Sequence, residues 1–229
     1  MDYTYLDIAK MIDHSLLNPV LTDRELEAGC RLARDYDVAS ACVKPYYVKR
    51  CAELLAGGTV AASTVIGFPH GGHKTAVKLA EAEQALADGG AELDMVVNIG
   101  KVLSEDWEYV SRDIRAVVEL THQGGGIVKV IFENCYLQEM HKIRLCEICA
   151  EAGADFVKTS TGYGGGGATL DDLKLMRRHS PPHVRVKAAG GVRTLDALLE
   201  VRAIGVARSG ATRTAEMLGE CLRRLEAQV

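Results

Sequence analysis

Short, β-branched apolar runs alternate with amphipathic stretches along almost the whole chain, and that alternation leaves few possible folds. The runs fall at 11–16, 38–43, 60–67, 92–98, 127–133, 155–160, 184–189 and 204–210. Between them lie stretches with the 3.6-residue period of a helix, among them 22–36, 74–88, 106–122, 138–152 and 194–202. Thr22 and Glu25 carry capping-box spacing at the start of the first of these. Strands that alternate with helices form βα units and a parallel sheet.

Eight units in 229 residues is about 29 residues each, and the last long runs begin at 127, 155 and 184. That count and size close a (β/α)8 TIM barrel. A doubly wound sheet is the alternative, but the GxGxxG fingerprint it usually carries is missing from the N-terminal region. The sequence has no linker or break in composition, so one α/β barrel domain over 1–229 is expected.

Composition removes other classes. The chain is 48% hydrophobic and 25% charged, which excludes disorder, collagen and coiled coil. Its formal net charge is −4 and it has no polybasic stripe, so neither nucleic acid nor an anionic membrane is an expected partner. No apolar run is long enough for a membrane span. The acidic start lacks the basic and apolar regions of a signal peptide, so a cytoplasmic protein is expected. Seven scattered cysteines do not make a disulfide framework. Cys146 and Cys149 form a CxxC inside a helical stretch, where small apolar packing explains them better than redox or zinc chemistry. His70 and His73 sit in a Gly- and Pro-shaped loop with no carboxylate near in sequence, and His14 is a similarly weak signal. No metal or other cofactor is expected.

The chemistry should sit at the C-terminal ends of the strands. Asp94, Lys129, Lys158 and Lys187 all fall inside strand patterns. With Val184, Val186 and Ala188 facing outward, Lys187 points into the barrel. Lys158 lies 29 residues earlier, one βα unit away, so the two lysines belong on adjacent strands. Asp94 lies two strands before Lys158. Burying such groups is costly unless they pair. Two inward lysines on adjacent strands repel, which serves no structural end. It does serve imine chemistry, where a neighbouring ammonium and desolvation bring one lysine toward its neutral, nucleophilic form. The carboxylate or the second lysine can then move protons.

Three glycine-bearing loops follow the later strands: 162–169, 190–194 and 210–213. Their backbone N–H groups and the helix that follows 210–213 suit an anion, and loops after strands seven and eight are a common phosphate site in this barrel. Glu133-Asn134-Cys135, at the end of another strand, either lines the pocket or caps the next helix.

The segments Ile12–Leu17, Thr64–Pro69, Glu92–Asn98, Asp155–Gly162 and Val186–Arg193 together resemble the deoxyribose-phosphate aldolase family, from about residue 10 to 220. The resemblance implies a metal-free class I aldolase that reversibly cleaves 2-deoxy-D-ribose 5-phosphate to acetaldehyde and D-glyceraldehyde 3-phosphate. It implies that Lys158 forms the imine, that Lys187 is the second lysine and that Asp94 relays protons. It places the phosphate on Gly162, Gly190, Gly191, Arg193, Gly210 and Thr212. It puts Asp13, Ser15 and Cys42 at the pocket and gives Lys129 a supporting place. It also suggests a homodimer.

The chain departs from the family pattern in three places. Tyr-Gly-Gly-Gly-Gly at 163–167 stands where many members have Phe-Ser-Thr-Gly-Gly. Gly-Ala-Thr at 210–212 stands where many have a serine pair. The tail, Leu225–Val229, lacks the tyrosine some members use in proton transfer. Two other readings are another Schiff-base lyase for a different sugar phosphate, and a non-catalytic sugar-phosphate binder. The lysine pair with Asp94 argues against the binder, which has no use for a neutral lysine.

Overall fold

A computed structural model of the chain describes residues 2–227. In order, its elements are α1 (Tyr5–Ala9), β1 (Ile12–Leu16), α2 (Asp23–Asp35), β2 (Ser40–Val43), α3 (Val48–Leu55), β3 (Ala61–Ile66) and α4 (Thr75–Ala87). There follow β4 (Glu92–Val96), α5 (Ile99–Leu103), α6 (Trp107–Gln123), β5 (Ile127–Ile131), α7 (Glu139–Ala152) and β6 (Phe156–Lys158). The last are α8 (Leu170–His179), β7 (Arg185–Ala188), α9 (Leu195–Ala203), β8 (Arg208–Ala211) and α10 (Thr214–Glu226). The eight strands are parallel and close on themselves in chain order, β8 pairing with β1. This is the (β/α)8 barrel that the alternation predicts.

Local chemistry explains most of the boundaries. Thr22 and Glu25 do form a capping box: the Glu25 carboxylate accepts from Thr22 N at 2.9 Å, and Thr22 Oγ1 accepts from Glu25 N at 3.4 Å. Thr169 and Thr194 cap α8 and α9 through their side chains. Along β5, Val128 and Val130 turn outward into the helix layer, where each buried side chain contributes about 1.5–3 kcal/mol, while Lys129 turns inward.

Most strand ends fall within two residues of the sequence expectation, and two of the differences have a clear local cause. The run at 204–210 becomes a strand only at Arg208. Ile204, Gly205 and Val206 instead end α9 in a Schellman turn. Gly205 N donates to Arg202 O, Val206 N donates to Val201 O, and Gly205 takes a φ of +91°. The run at 155–160 pairs as a strand only over 156–158. Beyond it, Thr159 Oγ1 accepts from Ala189 N at 3.1 Å and donates to Ala189 O at 3.2 Å, so a side chain continues the β6–β7 seam.

A buried ion pair stands apart from the barrel interior. Lys78 of α4 donates to Asp113 of α6 at 2.6 Å and to Val96 O, at the end of β4, at 2.8 Å. Thr75 Oγ1 donates to the other Asp113 oxygen at 2.7 Å. Lys78 occupies the apolar face of an amphipathic helix, so periodicity gave no sign of it.

Candidate active site

Strand register brings the charged side chains together. Asp94 is the direct partner of Lys129 across β4 and β5, and Lys158 is the direct partner of Lys187 across β6 and β7. All four are buried and point inward. Asp94 Oδ2 accepts from Lys158 Nζ at 2.7 Å and from Lys187 Nζ at 2.8 Å, while Oδ1 accepts from Lys129 Nζ at 2.7 Å. Two more carboxylates complete the cluster. Asp13 of β1 meets Lys187 at 2.5 Å and Arg208 of β8. Glu92 of β4 meets Lys129 at 2.7 Å and Arg208 at 3.1 Å.

Four cations therefore face three carboxylates. Their shares are unequal. Lys187, Lys129 and Arg208 each touch at least two carboxylates, whereas among the described residues Lys158 touches Asp94 alone. The proton affinities follow this division. Burial lowers the pKa of Lys158 and the ammonium of Lys187 lowers it further, and Asp94 opposes both without reversing the shift. Burial also acts against charge on Lys187, but Asp13 and Asp94 outweigh it and raise its pKa. Lys129 is likewise raised by Asp94, Glu92 and Asp13 against burial. Burial would raise Asp94, but Lys129, Lys158 and Lys187 hold it well below the carboxylate range. The cluster is balanced when Lys158 alone is neutral.

A cavity of about 230 Å³ opens above these groups. That is below the roughly 300–1,000 Å³ of pockets for drug-sized ligands, so it suits a small polar substrate. Lys158, Lys187, Asp13, Ser15 and Cys42 line it from the strands. Gly162, Gly190, Gly191, Arg193, Gly210 and Thr212 line it from the later strand ends and loops. Asp94 is fully buried and does not line it, reaching the cavity through the ammonium groups it binds. Lys129 does not line it either.

The loop backbones come close enough to demand glycine. A Cβ on Gly167 would lie 2.4 Å from Gly190 O, and Gly190 and Gly191 take φ values of +75° and +105°. α10 starts with Arg213 in the cap position and no side-chain cap, which leaves its first N–H groups without that partner.

Sequence reasoning missed Glu92, Arg208 and Tyr163 as parts of the site or its support. Glu92 sits two residues before Asp94 and Arg208 two before Gly210, so period two would have placed both inward. Starting the last strand at 204 obscured Arg208. Tyr163 lines the cavity and meets Phe68 edge-on, with ring centres 5.4 Å apart.

The weaker signals resolve as packing or as exposed surface. His14 Nδ1 is 2.8 Å from Thr214 Oγ1, and burial lowers its pKa to about 4. His70 and His73 are exposed, and among the described residues no group of three or more His, Cys, Asp or Glu is placed to hold a metal ion. Cys146 and Cys149 are buried on α7 as free thiols; burial raises Cys146 to about 11 and Cys149 well above its ordinary value. Neither is a reactive thiolate. Of the tail, Gln228 and Val229 lie outside the described residues.

Comparisons with known proteins place the chain among aldolases. The family model for DeoC/LacD aldolases matches residues 8–212. A deoxyribose-phosphate aldolase of Rhodopirellula baltica is 66% identical over 98% of this chain and 93% of its own length. One from Thermococcus gammatolerans is 49% identical over 90% of this chain and 92% of its own. Among solved structures, an aldolase called QR15 superposes with a TM-score of 0.91 at 35% identity, covering 97% of this chain and 99% of that one. A tetrameric deoxyribose phosphate aldolase from Aeropyrum pernix superposes at 0.87 with 32% identity, covering 97% and 93%.

Proposed function

The chain belongs to the DeoC/LacD family of aldolases, and from that premise we propose that it works through an imine on Lys158. It is a deoxyribose-phosphate aldolase, reversibly cleaving 2-deoxy-D-ribose 5-phosphate to acetaldehyde and D-glyceraldehyde 3-phosphate. The observation that carries the assignment of the nucleophile is the unequal sharing of carboxylates. Lys158 lines the cavity, has one carboxylate partner among the described residues and has its pKa lowered. Lys187 lines the same cavity but is held charged by Asp13 and Asp94.

The neutral Lys158 amine attacks the C1 carbonyl of the open-chain sugar, and loss of water gives a protonated imine. That cation draws electrons as the C2–C3 bond breaks. The C3 hydroxyl loses its proton and leaves as the aldehyde of glyceraldehyde 3-phosphate, and the two-carbon enamine stays on Lys158. Protonation of the enamine carbon and hydrolysis release acetaldehyde and restore the amine. Lys187 is the cavity-lining ammonium that can donate and recover the proton. Asp94, away from the cavity, holds both lysines by one oxygen and relays protons through them. Lys129 helps to keep Asp94 and Asp13 ionised, Arg208 does the same for Asp13, and both cations pair with Glu92.

The phosphate is assigned to the backbone of Gly162, Gly190, Gly191 and Gly210, with Arg193, Thr212 and the uncapped start of α10. Asp13, Ser15 and Cys42 complete the pocket wall, with Asp13 chiefly fixing Lys187. The proposal also includes a place in cytoplasmic deoxyribose phosphate catabolism, a single domain over 1–229 and a homodimer. Among the described residues no helix is long and apolar enough to cross a membrane. Light scattering distinguishes two copies from the four of the Aeropyrum relative.

Borohydride with acetaldehyde tests the nucleophile. Peptide mapping is expected to find the reduced two-carbon adduct on Lys158, and an adduct on Lys187 or Lys129 overturns the assignment.

A further inference from the structure

Glu133 sits just past β5 in the left-handed region, at a φ of +58°, and is buried. It occupies the cap position of the 3-10 turn Asn134–Tyr136 but makes no side-chain cap bond there. Among the described residues, the hydrogen bonds its carboxylate accepts all come from Thr161. Thr161 N donates to Oε1 at 3.2 Å, and Thr161 Oγ1 donates to Oε2. Thr161 Oγ1 in turn accepts from Tyr163 N at 3.0 Å. Backbone pairing past the strand ends brings the partners together: Phe132 N donates to Lys158 O at 3.0 Å and Asn134 N to Thr159 O at 2.9 Å.

Burying a carboxylate is costly, and this one is turned to a loop rather than to a cation. The loop is the first glycine-bearing one, directly after Lys158. Thr161, Gly162 and Tyr163 all line the cavity. The next residue completes the fit: a Cβ on Gly164 would lie 3.0 Å from Glu133 Cδ and 3.1 Å from Cys135 Sγ. The glycine at 164, where many family members carry serine, thus lets the loop lie against the Glu133 carboxylate.

We propose that Glu133 is a positioning residue that sets the affinity for the phosphorylated end of the substrate, by fixing Thr161, Gly162 and Tyr163 at the cavity wall. This rests on the reading of Gly162 as part of the phosphate site. The hydrogen bonding to Thr161 is local to the loop, so its loss moves the loop while the lysine cluster on the strands stays in place. The effect falls on substrate binding rather than on imine chemistry.

The test is steady-state kinetics with 2-deoxyribose 5-phosphate and with unphosphorylated 2-deoxyribose, on the unaltered enzyme and on Glu133→Leu, Glu133→Gln and Thr161→Val. Losing this bond in Glu133→Leu is expected to raise KM for the phosphorylated sugar about tenfold with kcat within about twofold, and to leave KM for the free sugar within about twofold. Glu133→Gln recovers most of the loss, because its carbonyl still accepts from Thr161 N while its amide donates to Thr161 Oγ1. Thr161→Val breaks the hydroxyl contact from the other side and raises the same KM, which keeps the test decisive if Glu133→Leu does not fold. Equal loss for both sugars, or a drop confined to kcat, overturns the proposal. Equal kcat/KM for the two sugars in the unaltered enzyme overturns the phosphate reading itself, and this proposal with it. A preference in the unaltered enzyme that survives both Glu133→Leu and Thr161→Val overturns the proposal alone.

Discussion

Lys158 and Lys187 are direct register partners across β6 and β7, and both donate to one oxygen, Oδ2 of Asp94, at 2.7 and 2.8 Å. Two ammonium groups on one carboxylate oxygen cannot both be fully compensated. Asp13 compensates Lys187, so Lys158 is the one to give up its proton.

Replacing Lys187 with Leu tests how much of that depends on the neighbour. Burial is the larger cause of the lowered Lys158 pKa and Lys187 the smaller. Removing the second ammonium also leaves Asp94 freer to stabilise a charged Lys158. The limb of the pH–rate profile that reports deprotonation of Lys158 should move to higher pH, and turnover should fall. The shift should be partial, because burial remains. A profile with an unmoved limb would show that burial alone tunes the nucleophile.

Asp94→Asn should separate imine formation from proton transfer. The amide can no longer hold three ammonium groups, so exchange of the acetaldehyde methyl protons with solvent should slow sharply. Borohydride trapping on Lys158 should remain detectable, since burial still favours the neutral amine. Removing one charge from a buried, paired cluster typically costs about 3–5 kcal/mol, so the variant should also melt earlier. Proton exchange by NMR and calorimetry measure the two effects.

The acid stability of the fold should follow the same carboxylates. Asp13 and Asp94 both have folded pKa values held below their unfolded ones: burial raises them, but Lys187, Lys129 and Arg208 outweigh it at Asp13, and Lys129, Lys158 and Lys187 outweigh it at Asp94. Their stabilisation is therefore fully present above the unfolded carboxylate pKa of about 4 and is lost as pH falls through the folded values. Denaturant midpoints should hold down to about pH 5 and decline below about pH 4. In Asp94→Asn that acid decline should be shallower.

The barrel and its lysines were legible because both rest on simple periods. Strand–helix alternation announces βα units, and period two places Lys158, Lys187 and Asp94 inward. What stayed hidden needed knowledge of space rather than sequence. Ile204-Gly205-Val206 has a strand's composition, but Gly205 takes a φ of +91° and ends a helix, which displaced Arg208 from view. Glu133 could be read two ways, and its Thr161 partner lies 28 residues on, which no local pattern relates. Lys78 finds Asp113 across two helices, and helical period marks its position as apolar.

Lys78→Met should test that last pair. The substitution fills similar volume but leaves Asp113 buried with Thr75 Oγ1 as its remaining side-chain donor among the described residues. An uncompensated buried charge costs about 3–5 kcal/mol. Converting both residues, Lys78→Met with Asp113→Leu, should recover much of that loss. Chemical denaturation of the two variants measures it, and equal stability of the single and double variants would contradict the account.

The proposed phosphate site gives the last prediction, because there the sequence departs from the pattern of the family it resembles. Gly190, Gly191 and Gly210 and the start of α10 can bind a dianion through backbone N–H groups, without hydroxyls. A neutral hydrogen bond contributes about 1 kcal/mol and one to a charged group about 1.5–3. Losing two hydroxyl contacts should therefore weaken phosphate binding by roughly tenfold to a hundredfold relative to members that keep Ser-Thr and the serine pair. Deoxyribose 5-phosphate should still be preferred over deoxyribose, mainly through a lower KM, but by less than in such a relative. The two positions in the 163–167 loop where many family members carry hydroxyls are not equivalent. A Cβ on Gly165 meets nothing within 4 Å, whereas one on Gly164 presses on the Glu133 carboxylate at 3.0–3.2 Å. Gly165→Thr should therefore be accepted without loss of stability and lower KM for the phosphorylated sugar severalfold, whereas Gly164→Ser must displace Glu133 and should raise it. Kinetics with both sugars on the two variants decide the matter, and a KM lowered equally by both substitutions would show that Glu133 does not govern this loop.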